Sequence, residues 1–109
     1  MTPEEAYQKM VSAGERWADL NSAAEALEST RNSIKSQVTL DFLPQAKTMA
    51  RAVAMAEASQ RYIEHLNHSS RARKESNVAR VTYDAIRVMI DLERTKESTR
   101  RAELQNLRG

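Results

Sequence analysis

Cysteine is missing from this chain altogether, and glycine and proline occur only twice each in 109 residues. Without cysteine there is no disulfide framework, no thiol nucleophile and no thiolate metal site. Aromatic residues make up 5% and charged residues 29%, a balance that starves turns and sheets and favours long helices. No apolar run approaches the ~18 residues of a membrane span. The stretch "MTPEEAYQKM" has neither the basic start nor the apolar middle of a secretory leader. Cytoplasmic residence and no membrane contact are the resulting expectations. A glycine-rich phosphate loop, a Gly-x-Ser-x-Gly elbow and paired carboxylates in an apolar setting are also missing. No enzymatic activity, cofactor or small-molecule substrate is therefore expected.

What remains is an all-α chain of one domain, residues 1–109. Thr2-Pro3-Glu4-Glu5 reads as a helix start, with threonine as cap, proline at the first position and glutamate closing a capping box. From there a heptad places Met10, Trp17, Ala24, Arg31 and Val38 in one column and Ala6, Ala13, Leu20, Leu27 and Ile34 in the other. Such spacing predicts a helix over about 3–42 that packs lengthwise against a partner. Arg31 stands where an aliphatic side chain is expected, either fixing register or reaching out to solvent. Gly14 weakens the helix but leaves room for a neighbour beside Trp17. Pro44 should end it. A short alanine-rich helix over about 48–58, capped by Thr48, then connects to a long one over about 60–106 that starts at Ser59. Asn67-His68-Ser69-Ser70 is its one weak spot, since these side chains compete for backbone hydrogen bonds. After it no stop signal occurs before Gly109.

In the last helix the apolar pattern doubles. Ala79, Tyr83, Ile86 and Ile90 make one stripe, and Val78, Val81, Ala85, Val88 and Leu92 make a second, displaced by about one residue. One partner helix cannot cover both. Either the short helix takes one of them, or the second stripe is an interface between copies of the chain. The latter is favoured: an elongated antiparallel hairpin of two long helices, dimerising into a bundle around residues 78–92.

Charge is graded along the chain. Residues 1–30 hold six acids against two bases, and residues 67–109 hold ten bases against six acids. Two basic clusters, Arg71, Arg73, Lys74 and Arg80, then Arg94, Lys96, Arg100, Arg101 and Arg108, are candidate polyanion contacts. Glu93, Glu97 and Glu103 are interspersed, and Glu97 stands four residues before Arg101, so a solvated, self-paired helix end is the plainer reading. No aromatic residue accompanies the second cluster to stack on bases. Arg80, Asp84, Arg87, Asp91 and Arg94 should form an ion-pair ladder. His65 and His68, beside Glu64, could offer two or three metal ligands where a site needs three or four, so surface or hinge histidines are the ordinary reading.

From Ser59 on, the chain resembles a loose group of small helical proteins encoded in phages and prophages. The likeness lies in Ser59-x-x-Tyr62, then Arg80-Val81-x-Tyr83-Asp84-Ala85, then Leu92-x-Arg94-Thr95-x-Glu97-x-Thr99-Arg100-Arg101-Ala102-Glu103. Gln60 departs from the proline frequent there, leaving the helix start less sharply fixed. The resemblance covers about half the chain and implies an accessory factor encoded near replication and recombination genes, with no catalytic residues to transfer. A non-enzymatic phage-type accessory protein, acting through helix-mediated oligomerisation and contacts in DNA replication or recombination, is the resulting expectation. The alternative is a structural, assembly or host-protein-modulating protein without nucleic-acid contact.

Overall fold

A computed structural model of the chain describes residues 1–108 and contains four helices: α1 (Pro3–Ser29), α2 (Arg31–Ala46), α3 (Met49–Glu57) and α4 (Gln60–Arg108). No strand occurs among the described residues. The result is the expected all-α hairpin, drawn out to 88 × 20 × 15 Å. Gly109, read as the stop signal, lies outside the described residues.

α1 begins at its capping box. The Thr2 hydroxyl accepts the Glu5 backbone N–H at 3.1 Å, and the Glu5 carboxylate accepts that of Thr2 at 3.3 Å. The long first helix reaches Ala46 rather than residue 42, and it is interrupted at Thr30. Two side chains compete with the helix there: Ser29 donates to the Ala26 carbonyl at 2.9 Å and Thr30 to that of Leu27 at 3.0 Å. The Leu27 carbonyl also accepts a hydrogen bond from His65 Nε2 of α4 at 2.9 Å. His65 is thus a half-buried pin across the interruption rather than a surface group. Arg31 turns out to solvent, so the charged residue in the seam column sits where the helix breaks.

Pro44 falls in the last turn of α2, where its missing donor costs one hydrogen bond and the helix has only two residues left to run. Lys47 then turns left-handed (φ 68°) and donates to the Leu43 carbonyl at 3.1 Å, the usual geometry of a helix end. Thr48 caps α3 by accepting the Arg51 N–H, and the Ser59 hydroxyl caps α4 by accepting that of Tyr62. α3 folds back chiefly on α2, with Ala52 and Ala56 fully buried. A Lys35–Glu57 ion pair at 3.0 Å ties the two.

α4 runs through Asn67–Ser70 without a break. Its inward residues are Tyr62, His65, Ser69, Ala72, Ser76, Ala79, Tyr83, Ile86 and Ile90, a strict 3-4 repeat. Of the weak helix formers only Ser69 falls on this seam, while Asn67, His68 and Ser70 are exposed. The helix holds through them because the seam residues His65, Ser69 and Ala72 are packed, and tertiary packing outweighs propensity. Facing them on α1 are Ala6, Met10, Ala13, Trp17, Leu20, Ala24 and Leu27. The side chains buried most fully are small, Ala24, Ser76 and Ala79 among them, so the backbones approach closely. Register is set by Tyr83, which stacks on Trp17 with ring centroids 5.8 Å apart. The Tyr83 ring also lies over Gly14, 3.3 Å from where a Cβ would be.

Two stability measurements follow. Gly14→Leu should destabilise the hairpin by about 1–3 kcal/mol, because the Tyr83 ring has no room to retreat without leaving Trp17. The Ser76 hydroxyl is buried without a hydrogen-bond partner among the described residues. Ser76→Ala should therefore stabilise by about 1 kcal/mol, raising Tm on the order of 5 °C. Thermal unfolding followed by circular dichroism reads both, and a lowered Tm for Ser76→Ala would show that the hydroxyl is satisfied.

Candidate interaction surface

The two apolar stripes of α4 have different fates. Ala79, Tyr83, Ile86 and Ile90 face α1 and are buried or half-buried. Val78, Val81, Ala85, Val88 and Leu92 are exposed, and of the four large side chains Leu92, at 54%, is the least so. At 100° per residue the second stripe lies about 145° round the helix from the first. It therefore points almost directly away from α1. α3 packs on α2 at the far end and leaves this face open, which removes the alternative that the short helix covers it. Met89, also exposed, widens the patch.

The basic side chains separate on folding. Arg71 and Lys74 are exposed and continue the outer stripe upstream of Val78 at the same 3-4 spacing. Arg73 turns the other way and is used within the hairpin. Its Nε donates to Glu28 at 3.0 Å, its Nη1 to the Asn21 side-chain oxygen at 2.7 Å and its Nη2 to Glu28 at 2.5 Å. Arg73 thus belongs to the joint between α1 and α4 and drops out of the free basic cluster. The hydrogen bonds from Arg73 hold the Glu28 carboxyl below the ordinary carboxylate range, although burial opposes them, with the charges of Arg73 and Arg31 adding to the effect.

All residues from Asp91 to Arg108 are exposed. The tail of α4 outruns α1, and its seam positions become Glu93, Glu97 and Arg100 just where the partner helix gives out. Arg94, Lys96, Arg100 and Arg101 stand on this free segment. Two of them are offset locally, Lys96 by Glu93 at 3.7 Å and Arg101 by Glu97 at 3.3 Å. The Arg80–Asp84–Arg87–Asp91–Arg94 ladder does not form among the described residues. Instead the Arg87 guanidinium lies over the Tyr83 ring, 5.9 Å from its centroid.

A clustered view of the charges misses the periodic one. Arg73, Arg80, Arg87, Arg94, Arg101 and Arg108 follow one another at intervals of seven, on the flank of α4 beside its seam. Counting at the heptad interval, rather than reading runs, would have shown this. Tyr7 gives no such signal, because it is far from the arginines in sequence. It is 62% exposed and lies on the same flank of α1 as Gly14, Asn21 and Glu28.

Among the described residues no three His, Cys, Asp or Glu side chains come together as a metal site, and no helix is long and apolar enough to cross a membrane. The fold and surface together define an elongated helical hairpin with one apolar and one arginine-rich face. No protein-family model, curated protein or solved structure matches the chain.

The Glu28–Arg73 joint makes acid stability a direct test. A carboxylate whose folded pKa is depressed adds stability that is present above its unfolded pKa and is lost as pH falls through the folded one. Arg73 stays protonated throughout, so Glu28 alone titrates. Glu28→Gln should be less stable than the wild type at pH 7 in urea unfolding, with the gap closing below pH ~4. A gap that stays constant down to pH 3 would show that the pair contributes nothing.

Proposed function

We propose that this is a non-enzymatic accessory protein that works by helix-mediated contacts, self-associating through the outer face of α4. The observation that carries this reading is the exposed strip from Val78 to Leu92, opposite the seam and left uncovered by the rest of the chain. Each of its large side chains would gain on the order of 1 kcal/mol if re-buried. Pairing two copies recovers that on both sides at once. The partner is then a second copy of the chain, giving a homodimeric bundle with two basic helix ends. The resemblance of residues 59–103 to phage-encoded helical proteins supports a role in phage DNA replication or recombination. A structural, assembly or host-protein-modulating role without nucleic acid is the alternative that the many tail carboxylates favour.

Sedimentation at micromolar concentration tests the self-association. The wild type should run as a dimer, and Val81→Glu, Val88→Glu should run near the 12.4 kDa of a single chain with its helix content unchanged. A wild type that is monomeric throughout, or a variant that remains dimeric, would remove this face from the interface.

A further inference from the structure

The arginine column on α4 is periodic, straight and largely unspent. At ~1.5 Å per residue its six members recur every ~10.5 Å over ~52 Å. Within the hairpin the column keeps its place because α4 keeps its seam toward α1 from His65 to Ile90. Past the hairpin an untwisted helix drifts only ~20° per heptad, so Arg94, Arg101 and Arg108 stay on the same side.

Register defines what lies beside the column. Arg73 meets Asn21 and Glu28 of α1, and Gly14 meets Tyr83. Moving along both helices by sevens brings Arg80 to the level of Gly14 and Asn21, Arg87 to that of Tyr7 and Gly14, and Arg94 to that of Tyr7. The α1 acids Glu5, Glu15 and Asp19 lie on other faces of that helix, whereas Glu4 and Glu25 share the column of Val11, at the outer edge of this flank. Glu25 accepts a hydrogen bond from Asn21 at 3.2 Å. Arg73 is neutralised by Glu28 and Arg101 is paired with Glu97. Arg80, Arg87, Arg94 and Arg108 have no carboxylate within ion-pair distance among the described residues. On the other side of the column Asp84 and Asp91 form an acidic edge.

From this geometry we infer that the flank between the arginine column and α1 binds a single-stranded nucleic acid, with successive guanidiniums gripping phosphates and the exposed Tyr7 ring stacking on a base. The inference rests on the basic face of α4 being a contact surface, and it does not depend on the dimer. Asp84 and Asp91 would confine the strand to the α1 side of the column. A flexible strand can follow a straight row of charges, whereas the backbone of a duplex winds away from it. Arginine grips phosphate bidentately and stacks on bases, and an aromatic ring supplies a sequence-tolerant platform. An acidic helix is the other anion of matching period. It would need an apolar seam, and this flank of α1 offers only Tyr7 and Val11 as exposed large apolar side chains.

Fluorescence anisotropy of labelled oligothymidylate of twenty nucleotides, from 50 to 200 mM salt, tests this. The wild type should bind saturably, with affinity falling steeply as salt rises. Arg94→Gln, Arg101→Gln, Arg108→Gln touches nothing in the hairpin and should weaken low-salt binding at least tenfold. It should also flatten the slope of log affinity against log salt by about 2, since each phosphate that an arginine neutralises on a single strand accounts for ~0.7 of that slope. Lys74→Gln, Lys96→Gln, Arg100→Gln removes the same charge off the column and should stay within about threefold of wild type. Tyr7→Ala should cost about fivefold or more. Val81→Glu, Val88→Glu separates the dimer from binding, and its monomer should keep the salt slope of the wild-type protomer. No saturable binding, equal losses in the two triple variants, tighter binding to a duplex of the same length, or equal affinity for polyglutamate would each overturn the inference.

Discussion

The close approach of two small-residue faces, keyed by one aromatic ring, is what the rest of the molecule depends on. Tyr83 fits over Gly14 and stacks on Trp17, which locks α1 and α4 in a single longitudinal register. In a rod 20 × 15 Å in section there is no second layer to correct an error. A slip of one heptad would move the ring onto Tyr7 or Asn21 and separate Arg73 from Glu28 and Asn21. The seam thus carries specificity through shape, and the Arg73 joint adds geometry more than energy, as partly exposed ion pairs do.

Thinness also explains why α4 has so much to offer to a partner. A helix in a globular core shares its circumference among several neighbours, while α4 has essentially one along its middle and none beyond Ile90. Its back is therefore free to be apolar and its end free to be charged. These two surfaces differ in kind: the strip from Val78 to Leu92 points away from α1, whereas the arginine column runs beside α1. Pointing in different directions, the two surfaces can be occupied at the same time without competing.

Much of the architecture was legible in the residues. Thr2-Pro3-Glu4-Glu5, Thr48 and Ser59 announce their helix starts because capping is local chemistry. The heptad of the first long helix announces the seam, and the doubled stripe of the last announces a helix with two apolar sides. Less legible were the interruption at Thr30, the helix continuing to Ala46, and the survival of α4 through Asn67–Ser70. Each is decided by whether neighbouring packing outweighs a local preference, and that depends on which residues fall on the buried side.

The sequence by itself determined the class of the protein, its helix starts, and the periodicities of its apolar and arginine residues, since these depend on bonds and spacings within a few turns. Only the tertiary structure decided what each periodicity faces. It placed the second stripe in solvent because α3 packs elsewhere, took Arg73 out of the basic cluster because Glu28 lies opposite, and brought Tyr7 to the level of Arg87 and Arg94. Those outcomes depend on which residues, 45 to 87 positions apart in the chain, come level with one another, which no local pattern encodes and the Gly14–Trp17–Tyr83 contact sets.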